Sequence, residues 1–209
     1  MDQLGRTLAH QFESTARVAG RIVVAIDGPG CCGKSTLGES IASETSVAVL
    51  ETDDFHLPRG AQPERDSPLP YRRWREFVLA AKRLADGVPV RFRPIDWNSR
   101  DLLREKTVAP GGVILIEGIG SLHPDLAELI DYRIWVDGQA HTRLARVAQR
   151  NSEAVAKNWG AYIAFEQAYL QNFKPWRSAH LWVCGAGITL GTSDRSFSRL
   201  IEDFGVAAV

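Results

Sequence analysis

The chain has 209 residues, which is enough for one well-cored domain and short for two. Lys and Arg together number 25, as do Asp and Glu, so the formal net charge is zero. This balance argues against a broad basic surface for nucleic acid or an anionic membrane. No segment has the pattern of a signal peptide or a membrane span, and the three cysteines lack disulfide-framework or zinc-site spacing. We therefore expect a cytoplasmic protein that binds neither nucleic acid nor membranes.

The predicted elements alternate between helices and strands. A leading helix over residues 1–20 precedes a buried strand, RIVVAID, a glycine-rich turn and a helix, STLGESIASETS. The chain then continues with a strand VAVLETDDF, a helix from about Pro70 to Gly87, strands GGVILIEGIG and DYRIWVDG, helices HTRLARVAQRN and 155–173, and a strand HLWVCG. This alternation predicts an α/β fold in which helices cover both faces of a parallel sheet of about five strands.

We expect these elements to form a single domain over residues 1–209, with a core at about 21–185. The least regular segment is 57–69, which contains three prolines and is typical of a mobile surface connection. Residues 186–209 form a C-terminal tail to which the sequence assigns no role.

The glycine-rich turn, GPGCCGKS over residues 28–35, fits the pattern G-x-x-x-x-G-K-[ST] without a mismatch. Glycines allow the backbone to curl so that successive N–H groups face phosphate oxygens, and the following helix adds its N-terminal dipole. Lys34 can reach the β- and γ-phosphates, the Ser35 hydroxyl can bind Mg²⁺, and Thr36 can reach the α-phosphate. The alternative is a chance match, but the position between a buried strand and a helix favours nucleotide binding. The predicted nucleotide-binding residues are Gly28, Gly30, Cys31, Cys32, Gly33, Lys34, Ser35 and Thr36.

Acidic residues end two of the predicted strands, at the edge where open α/β sheets bind ligands. Asp53, beside Asp54, can accept a proton from an attacking hydroxyl, and Glu117 can hold Mg²⁺ or its bound water. The alternatives are that Asp53 and Asp54 cap or solvate the loop and that Glu117 is a surface acid.

Three arginines, Arg143, Arg146 and Arg150, lie on one face of a predicted helix. Such a face suits a short lid that neutralises charge on a transferring phosphoryl group. The alternative is a solvated basic helix.

The order and spacing of these segments resemble the uridine kinase and phosphoribulokinase group of P-loop kinases, and most closely its short bacterial uridine kinase-like members. The resemblance covers residues 21–185 and rests on GPGCCGKST, DDFH, RPIDWNS, VILIEG, WVDGQAHTRLARVAQRN and AHLWVCG. It implies a nucleoside-kinase-like P-loop fold and transfer of the γ-phosphate of ATP or GTP to a hydroxyl, with Mg²⁺. Members of the family often form homo-oligomers, and the sequence does not specify one.

The resemblance also implies roles for individual residues. Asp53 matches the family's catalytic base, Asp96 matches an acid that binds the acceptor, and His56 replaces a tyrosine that contacts it. The catalytic set is completed by Lys34 and by the matched lid arginines Arg143, Arg146 and Arg150.

Three positions depart from the family pattern. Ile95 and His56 stand where the family has tyrosine, so two aromatic contacts to a pyrimidine nucleoside are altered. Asn151 replaces an aspartate that often follows the last lid arginine. Trp97 remains as a stacking surface for the acceptor, or alternatively as a core residue.

Cys31 and Cys32 fill variable positions of the turn and are interpreted as small side chains that fit there. A helix N-terminus can lower a thiol pKa, so oxidation that blocks nucleotide binding is the alternative.

The sequence therefore predicts an ATP-dependent kinase whose first acceptors to test are uridine and cytidine. The alternatives are another hydroxyl metabolite, such as a sugar, a pantothenate-like alcohol or a sugar phosphate. A sugar phosphate requires further cationic contacts, for which Arg59, Arg65, Arg72 and Arg73 are available, although these arginines equally suit a solvated face. A nucleotide-binding regulatory switch without transfer activity is the alternative from a different class.

Overall fold

In a computed structural model, the described residues are 1–64, 67–138, 143, 145, 146, 153–185 and 189–192, with side chains undescribed at 153–162 and 189–192. A six-stranded sheet organises these residues. Its strands are β1 (Ile22–Asp27), β2 (Val47–Glu51), β5 (Val113–Glu117), β6 (Tyr132–Asp137), β7 (Leu181–Cys184) and β8 (Thr189–Thr192). Their order across the sheet is β2-β5-β1-β6-β7-β8.

The first five strands in this order run parallel, which confirms the predicted parallel sheet of about five strands. β8 pairs antiparallel with β7 at the edge, in the tail that the sequence left unassigned. Because β1 lies between β5 and β6, its carboxyl end is flanked by the ends of both neighbours. This arrangement is the usual place for a ligand in an open α/β sheet.

Helices cover both faces of the sheet, as the sequence predicts. The described α-helices are α1 (Asp2–Ala19), α2 (Lys34–Ala42), α3 (Trp74–Ala85) and α4 (Glu153–Phe173). α1 and α2 pack on one face, where Leu8 and Phe12 meet Leu37 in one apolar cluster. α3 packs on the opposite face, where Phe77 joins a second cluster.

Strand β1 shows why both faces must be covered. Its six residues are all buried, and its side chains alternate between the two clusters, with Val23 and Ala25 in one and Val24 and Ile26 in the other. A strand buried on both faces has the continuous apolar run that the sequence shows.

Helix α3 begins at Trp74, four residues after the predicted start at Pro70. The preceding residues pair instead with the segment after β2, because the Leu57 N–H donates to Tyr71 O at 2.9 Å and the Arg73 N–H donates to Phe55 O at 2.7 Å. This long-range pairing outweighs the local helix signal. Segment 57–69 contains no helix or strand among its described residues.

A short antiparallel hairpin, β3 (Val90–Phe92) with β4 (Lys106–Val108), was not predicted from the sequence. The segment between its strands contains Asp96 and Trp97 and lies on the side of the acids that follow β2. The strand predicted over residues 47–55 ends at Glu51, and Asp53 and Asp54 lie on the 3-10 turn Thr52–Phe55. Within the described part of the chain, no helix has the length and apolarity needed to cross a membrane.

Candidate active site

The phosphate loop, residues 28–35, leaves the carboxyl end of β1 and leads into α2. Gly28 has φ 151° and lies so close to the Val136 carbonyl that an added Cβ would stand 2.0 Å from its oxygen. Gly33, with φ 105°, and Cys31, with φ 60°, also adopt left-handed conformations. This backbone forms the curled turn predicted from the motif, and such turns collect N–H groups around an anion.

A buried carboxylate, Asp27, fixes the start of the loop. It accepts hydrogen bonds from the N–H groups of Gly28 at 2.7 Å, Leu122 at 2.9 Å and Gly120 at 3.3 Å, and from the Tyr169 hydroxyl at 2.7 Å. Burial raises the pKa of Asp27, and these hydrogen bonds oppose that effect. One side chain thereby joins the phosphate loop, the segment after β5 and helix α4.

Lys34 is buried at the start of α2, and its Nζ donates to the carbonyl of Pro29 within the loop at 2.9 Å. Burial favours a lower pKa, but the ionisable groups around the ammonium group outweigh burial and raise the pKa of Lys34. These groups are Cys32, Glu117, Asp53 and Asp27. Lys34 is therefore a permanent cation at the centre of the site.

Ser35 and Glu117 supply oxygen atoms suited to Mg²⁺. The Ser35 hydroxyl lies 3.4 Å and 3.5 Å from the two carboxylate oxygens of Glu117, at the end of β5. Burial raises the pKa of Glu117 to about 7. A divalent cation would compensate the buried negative charge, and Mg²⁺ in phosphate sites commonly takes one or two protein oxygens plus phosphates and water. These residues fit the predicted ion, and Glu117 is a buried rather than a surface acid.

Asp53 is held by an arginine that the sequence did not connect with it. Arg72 Nη2 lies 2.6 Å from Asp53 Oδ1, and the Arg72 side chain is 1% exposed, whereas that of Asp53 is 53% exposed. Removal from water raises the pKa of Asp53, but the charge and hydrogen bond of Arg72 lower it to about 2. Asp53 is therefore ionised and accessible at neutral pH.

Two of the predicted lid arginines contact the phosphate loop. Arg143 Nε donates to Gly30 O at 2.7 Å, and the Arg143 guanidinium pairs with Glu166 of α4. Glu166 also accepts the Gly30 N–H at 2.7 Å, and Arg146 donates to Cys31 O at 3.2 Å. These contacts disfavour the solvated-helix alternative for Arg143 and Arg146. Arg150 and Asn151 lie outside the described residues, as does Arg65.

The predicted acceptor residues meet on the other side of Asp53. His56 is buried, its ring stacks on Tyr71 at 5.1 Å between centroids, and its edge contact with Trp97 is 4.4 Å. Burial lowers the pKa of His56 well below its usual value, so the ring is neutral. Trp97 is 37% exposed, which excludes the core alternative.

Asp96 and Ile95 occupy the same hairpin segment. Asp96 Oδ1 accepts the N–H groups of Asn98 and Ser99, each at 2.8 Å, and these bonds lower the pKa of Asp96. Asp96 therefore shapes its own turn, while Ile95 is buried. The structure brings Trp97 to His56, and contact of Asp96 with an acceptor stays a prediction.

A cavity of about 290 Å³ opens beside Tyr71. Tyr71 and Phe165 stand 5.2 Å apart between ring centroids, and the prolines of segment 57–70 add apolar walls. Two cations, Arg59 and Arg100, complete the lining. The volume is near the lower end for small-molecule sites, so the cavity suits a small metabolite.

Arg72 and Arg73 are not available to an acceptor as the sequence proposed. Arg72 is buried against Asp53, and Arg73 donates to the carbonyls of Asp54 at 2.9 Å and Arg93 at 2.7 Å. Both arginine side chains at the start of α3 are therefore hydrogen-bonded within the protein, whereas the side chain of Arg59 is exposed.

Burial disfavours the thiol hypothesis for Cys32. This side chain is fully buried, and burial raises its pKa rather than lowering it. The three cysteines are free thiols. Cys31 is partly exposed, and its reactivity stays a prediction.

Sequence reasoning missed Asp27, Glu166 and Tyr169, and it gave Arg72 a different role. Asp27 had a signal, because it ends a buried strand as Glu117 does. Glu166 and Tyr169 are three residues apart on one face of α4, but a glutamate and a tyrosine at that spacing also suit an ordinary helix. Their role depends on contacts with the loop more than 130 residues away.

Comparisons with known proteins point to one group. No family model matches the chain. Uridine-cytidine kinase C of Dictyostelium discoideum is 30% identical over 130 residues, which is 60% of this chain but only 29% of that protein. Uridine kinase of Oceanobacillus iheyensis is 27% identical over 169 residues, covering 74% of this chain and 77% of that enzyme.

Two solved structures share the fold. One, from Bacillus stearothermophilus, is described as "a possible uridine kinase"; it has a TM-score of 0.57 and 18% identity, covering 84% of this chain and 98% of that one. The other, from Silicibacter sp. TM1040, is described as a "putative fructose transport system kinase", with a TM-score of 0.54, 25% identity and coverage of 73% and 86%. The predicted resemblance and fold class are confirmed.

Proposed function

The chain is uridine kinase-like in sequence and has the fold of a P-loop kinase, and we propose that it transfers the γ-phosphate of ATP to a hydroxyl group of a small molecule. The observation that carries this proposal is an ionised, exposed carboxylate, Asp53, near enough to the buried ammonium group of Lys34 at the phosphate loop for each charge to favour the other. A nucleotide switch needs the loop, but only transfer chemistry needs a carboxylate open to an acceptor.

Different groups of the site would bind the phosphates, the metal ion and the transferring group. Backbone N–H groups of the loop and Lys34 would hold the phosphates, and Ser35 and Glu117 would hold Mg²⁺, which neutralises phosphate charge when bound. Arg143 and Arg146, whose side chains hydrogen-bond to loop carbonyls, would stabilise charge on the transferring group.

In the proposed transfer step, Asp53 is the base. The acceptor oxygen forms a bond to the γ-phosphorus while the bond from that phosphorus to the bridging oxygen breaks and its electron pair stays on ADP. The hydroxyl proton moves to the Asp53 carboxylate and then to solvent. A carboxylate with a pKa of about 2 is a weak base, so the proton moves late, which agrees with a loose transition state that needs little deprotonated nucleophile.

We propose uridine or cytidine as the first acceptor. The aromatic surface formed by His56, Tyr71 and Trp97 beside Asp53 suits a planar base. The curated relatives named above are uridine or uridine-cytidine kinases, which supports this choice.

A second acceptor class has its own support. Arg59 and Arg100 line the cavity beside Tyr71, so a hydroxyl metabolite that carries a phosphate or carboxylate is the alternative. The acceptors to compare are therefore nucleosides, neutral sugars, sugar phosphates and pantothenate.

The test is ADP release from Mg·ATP by the purified protein with each of these acceptors, repeated with GTP. Stimulation by uridine or cytidine alone supports the nucleoside kinase, and stimulation by a sugar phosphate or pantothenate moves the acceptor to the anionic class. Asp53→Asn should keep ATP affinity and lower turnover at least about a hundredfold. Tight ATP binding without stimulation by any acceptor would favour the regulatory switch.

A further inference from the structure

We propose that Arg72 is a positioning residue for phosphoryl transfer: it holds the Asp53 carboxylate in the orientation in which that group meets the acceptor hydroxyl. This inference rests on the proposed kinase activity and adds a residue to it. Three features of the structure support it, namely the geometry of the guanidinium, the backbone pairing beneath it, and the contrast with the neighbouring arginine.

The guanidinium of Arg72 is fixed at both ends of its fork. Nη2 donates to Asp53 Oδ1 at 2.6 Å, and Nη1 donates to the carbonyl of Thr52, the residue before it. The side chain is 1% exposed, so water does not compete for these bonds. An arginine bound at two points is a rigid support for a carboxylate.

The carboxylate held in this way stays open to the site. Asp53 is 53% exposed, and within the described part of the chain its carboxylate is hydrogen-bonded through Oδ1. An isolated aspartate so exposed would sample several rotamers. Bonding to Oδ1 selects one of them and leaves Oδ2 for the acceptor, which is the positioning that effective transfer requires.

Backbone hydrogen bonds also fix the position of Arg72. Residues His56 and Arg72 form an antiparallel bridge, and the flanking hydrogen bonds join Leu57 to Tyr71 and Phe55 to Arg73. Arg72 is therefore anchored directly to the segment that carries Asp53. Tyr71, its neighbour, lines the cavity of about 290 Å³ described above, so the support of the base and the wall of that cavity are consecutive residues.

Arg73 provides a natural contrast. It is also largely buried and lies in the same turn, but it donates to the carbonyls of His56, Asp54 and Arg93 and pairs with Glu76. Arg73 thus holds the fold of this region without touching Asp53. If Arg72 were only structural, it would behave as Arg73 does.

The experiment is a pair of double-mutant cycles. The first combines Arg72→Met with Asp53→Asn, and the second combines Arg73→Met with Asp53→Asn. For every variant, kcat and the KM for ATP are measured with the acceptor that gives the highest turnover, and thermal unfolding reports stability. Cycles of this kind separate a residue that acts through Asp53 from one that acts on the fold.

We expect Arg72→Met to lower kcat by about thirtyfold to a hundredfold with the KM for ATP within about twofold. In the Asp53→Asn background the same substitution should change kcat by less than about twofold, because the group that it positions is already gone. Arg73→Met should lower the unfolding temperature and change kcat by the same factor in both backgrounds.

Equal factors for Arg72→Met in both backgrounds, or a kcat like that of the wild type, would overturn the inference. If Arg72→Met does not fold, Arg72→Lys enters the same cycle, since it keeps the charge but lacks the rigid planar fork that holds Asp53 and Thr52 in one geometry. If the acceptor stimulates turnover by the wild type but Arg72→Met changes kcat by the same factor in both backgrounds, the inference is rejected and the proposed function stands. A wild-type protein without stimulated turnover rejects the proposed function and this inference together.

Discussion

The phosphate loop and the acceptor side differ in what holds them. The loop rests on the ends of buried strands, and Asp27 beneath it binds three backbone N–H groups and the Tyr169 hydroxyl. The described residues of the acceptor side lie on segments outside the strands of the main sheet, such as the 3-10 turn Thr52–Phe55 that carries Asp53. These segments are joined by arginines that donate to carbonyl groups, as Arg73 does to Asp54 and Arg100 to Leu57.

This difference separates a general function from a specific one. Phosphate is bound chiefly by backbone N–H groups, so the loop needs a particular curl more than particular side chains. The proposed acceptor would be met by side chains from four segments, represented by His56, Tyr71, Trp97 and Phe165, whose rings contact one another. On this proposal, substitutions there would change the acceptor while the phosphate loop is unchanged, and the departures at Ile95 and His56 are of this kind.

The largest effect is expected for Asp27→Ala beneath the loop. The substitution leaves buried N–H groups without an acceptor, and we expect it to lower the free energy of unfolding by about 3 kcal/mol or more and ATP affinity at least about tenfold. Urea unfolding and ATP titration measure the two effects. Tyr169→Phe, which removes one hydrogen bond, is the control and should cost about 1 kcal/mol. Equal losses in the two variants would show that the carboxylate is not the central support.

Glu117→Gln should reduce the pH dependence of the free energy of unfolding. Because burial raises the pKa of Glu117 from 4.5 to about 7, the folded protein keeps a proton that the unfolded chain has lost. Without Mg²⁺, the wild-type free energy of unfolding should therefore fall between pH 4.5 and about pH 7, by up to about 3 kcal/mol. Unfolding at several pH values measures this slope, which should be flatter in the variant.

Added Mg²⁺ provides the second half of that experiment. It should stabilise the wild type in the presence of ATP above pH 7 and have little effect on Glu117→Gln. Equal stabilisation of both proteins would place the ion elsewhere.

Trp97→Ala should affect the acceptor side alone. Because Trp97 is 37% exposed, its loss should change the free energy of unfolding by less than about 1 kcal/mol. We expect the KM for the acceptor to rise about tenfold and the KM for ATP to stay within about twofold. Leu103→Ala, at an exposed position of the same hairpin segment, is the matched control. If the KM for ATP rises as much as the KM for the acceptor, Trp97 does not act on the acceptor side alone.

The smallest effect is expected at Cys32. A protein with Cys31→Ser and Cys184→Ser retains only this buried thiol, whose raised pKa disfavours the reactive thiolate. Treatment with mild peroxide should leave its ATP affinity within about twofold, as measured by titration and checked by mass spectrometry. Oxidised Cys32 with weakened ATP binding would restore the redox hypothesis for this residue.

The comparison of the two sides also explains which predictions succeeded. The loop, the strands beside it and the opposition of Ser35 to Glu117 follow from contiguous patterns, because strand ends meet at one edge of a parallel sheet. The start of α3 was predicted four residues early, since nothing local indicates that residues 71–73 pair with 55–57. The same pairing turned Arg72 from an expected acceptor contact into the partner of Asp53.

By itself, the sequence determined the parallel strands of the main sheet and the curl of the phosphate loop, and it proposed the residues that would face phosphate and metal. These features depend on periodicity, on glycine conformations and on short-range geometry, all of which are local. Only the tertiary structure decided that Arg72 holds Asp53, that Glu166 reaches the loop and Tyr169 the Asp27 carboxylate beneath it, and that Trp97 stands beside His56. Such contacts join residues far apart in the chain, and their energies depend on burial and distance, which exist only after the chain has folded.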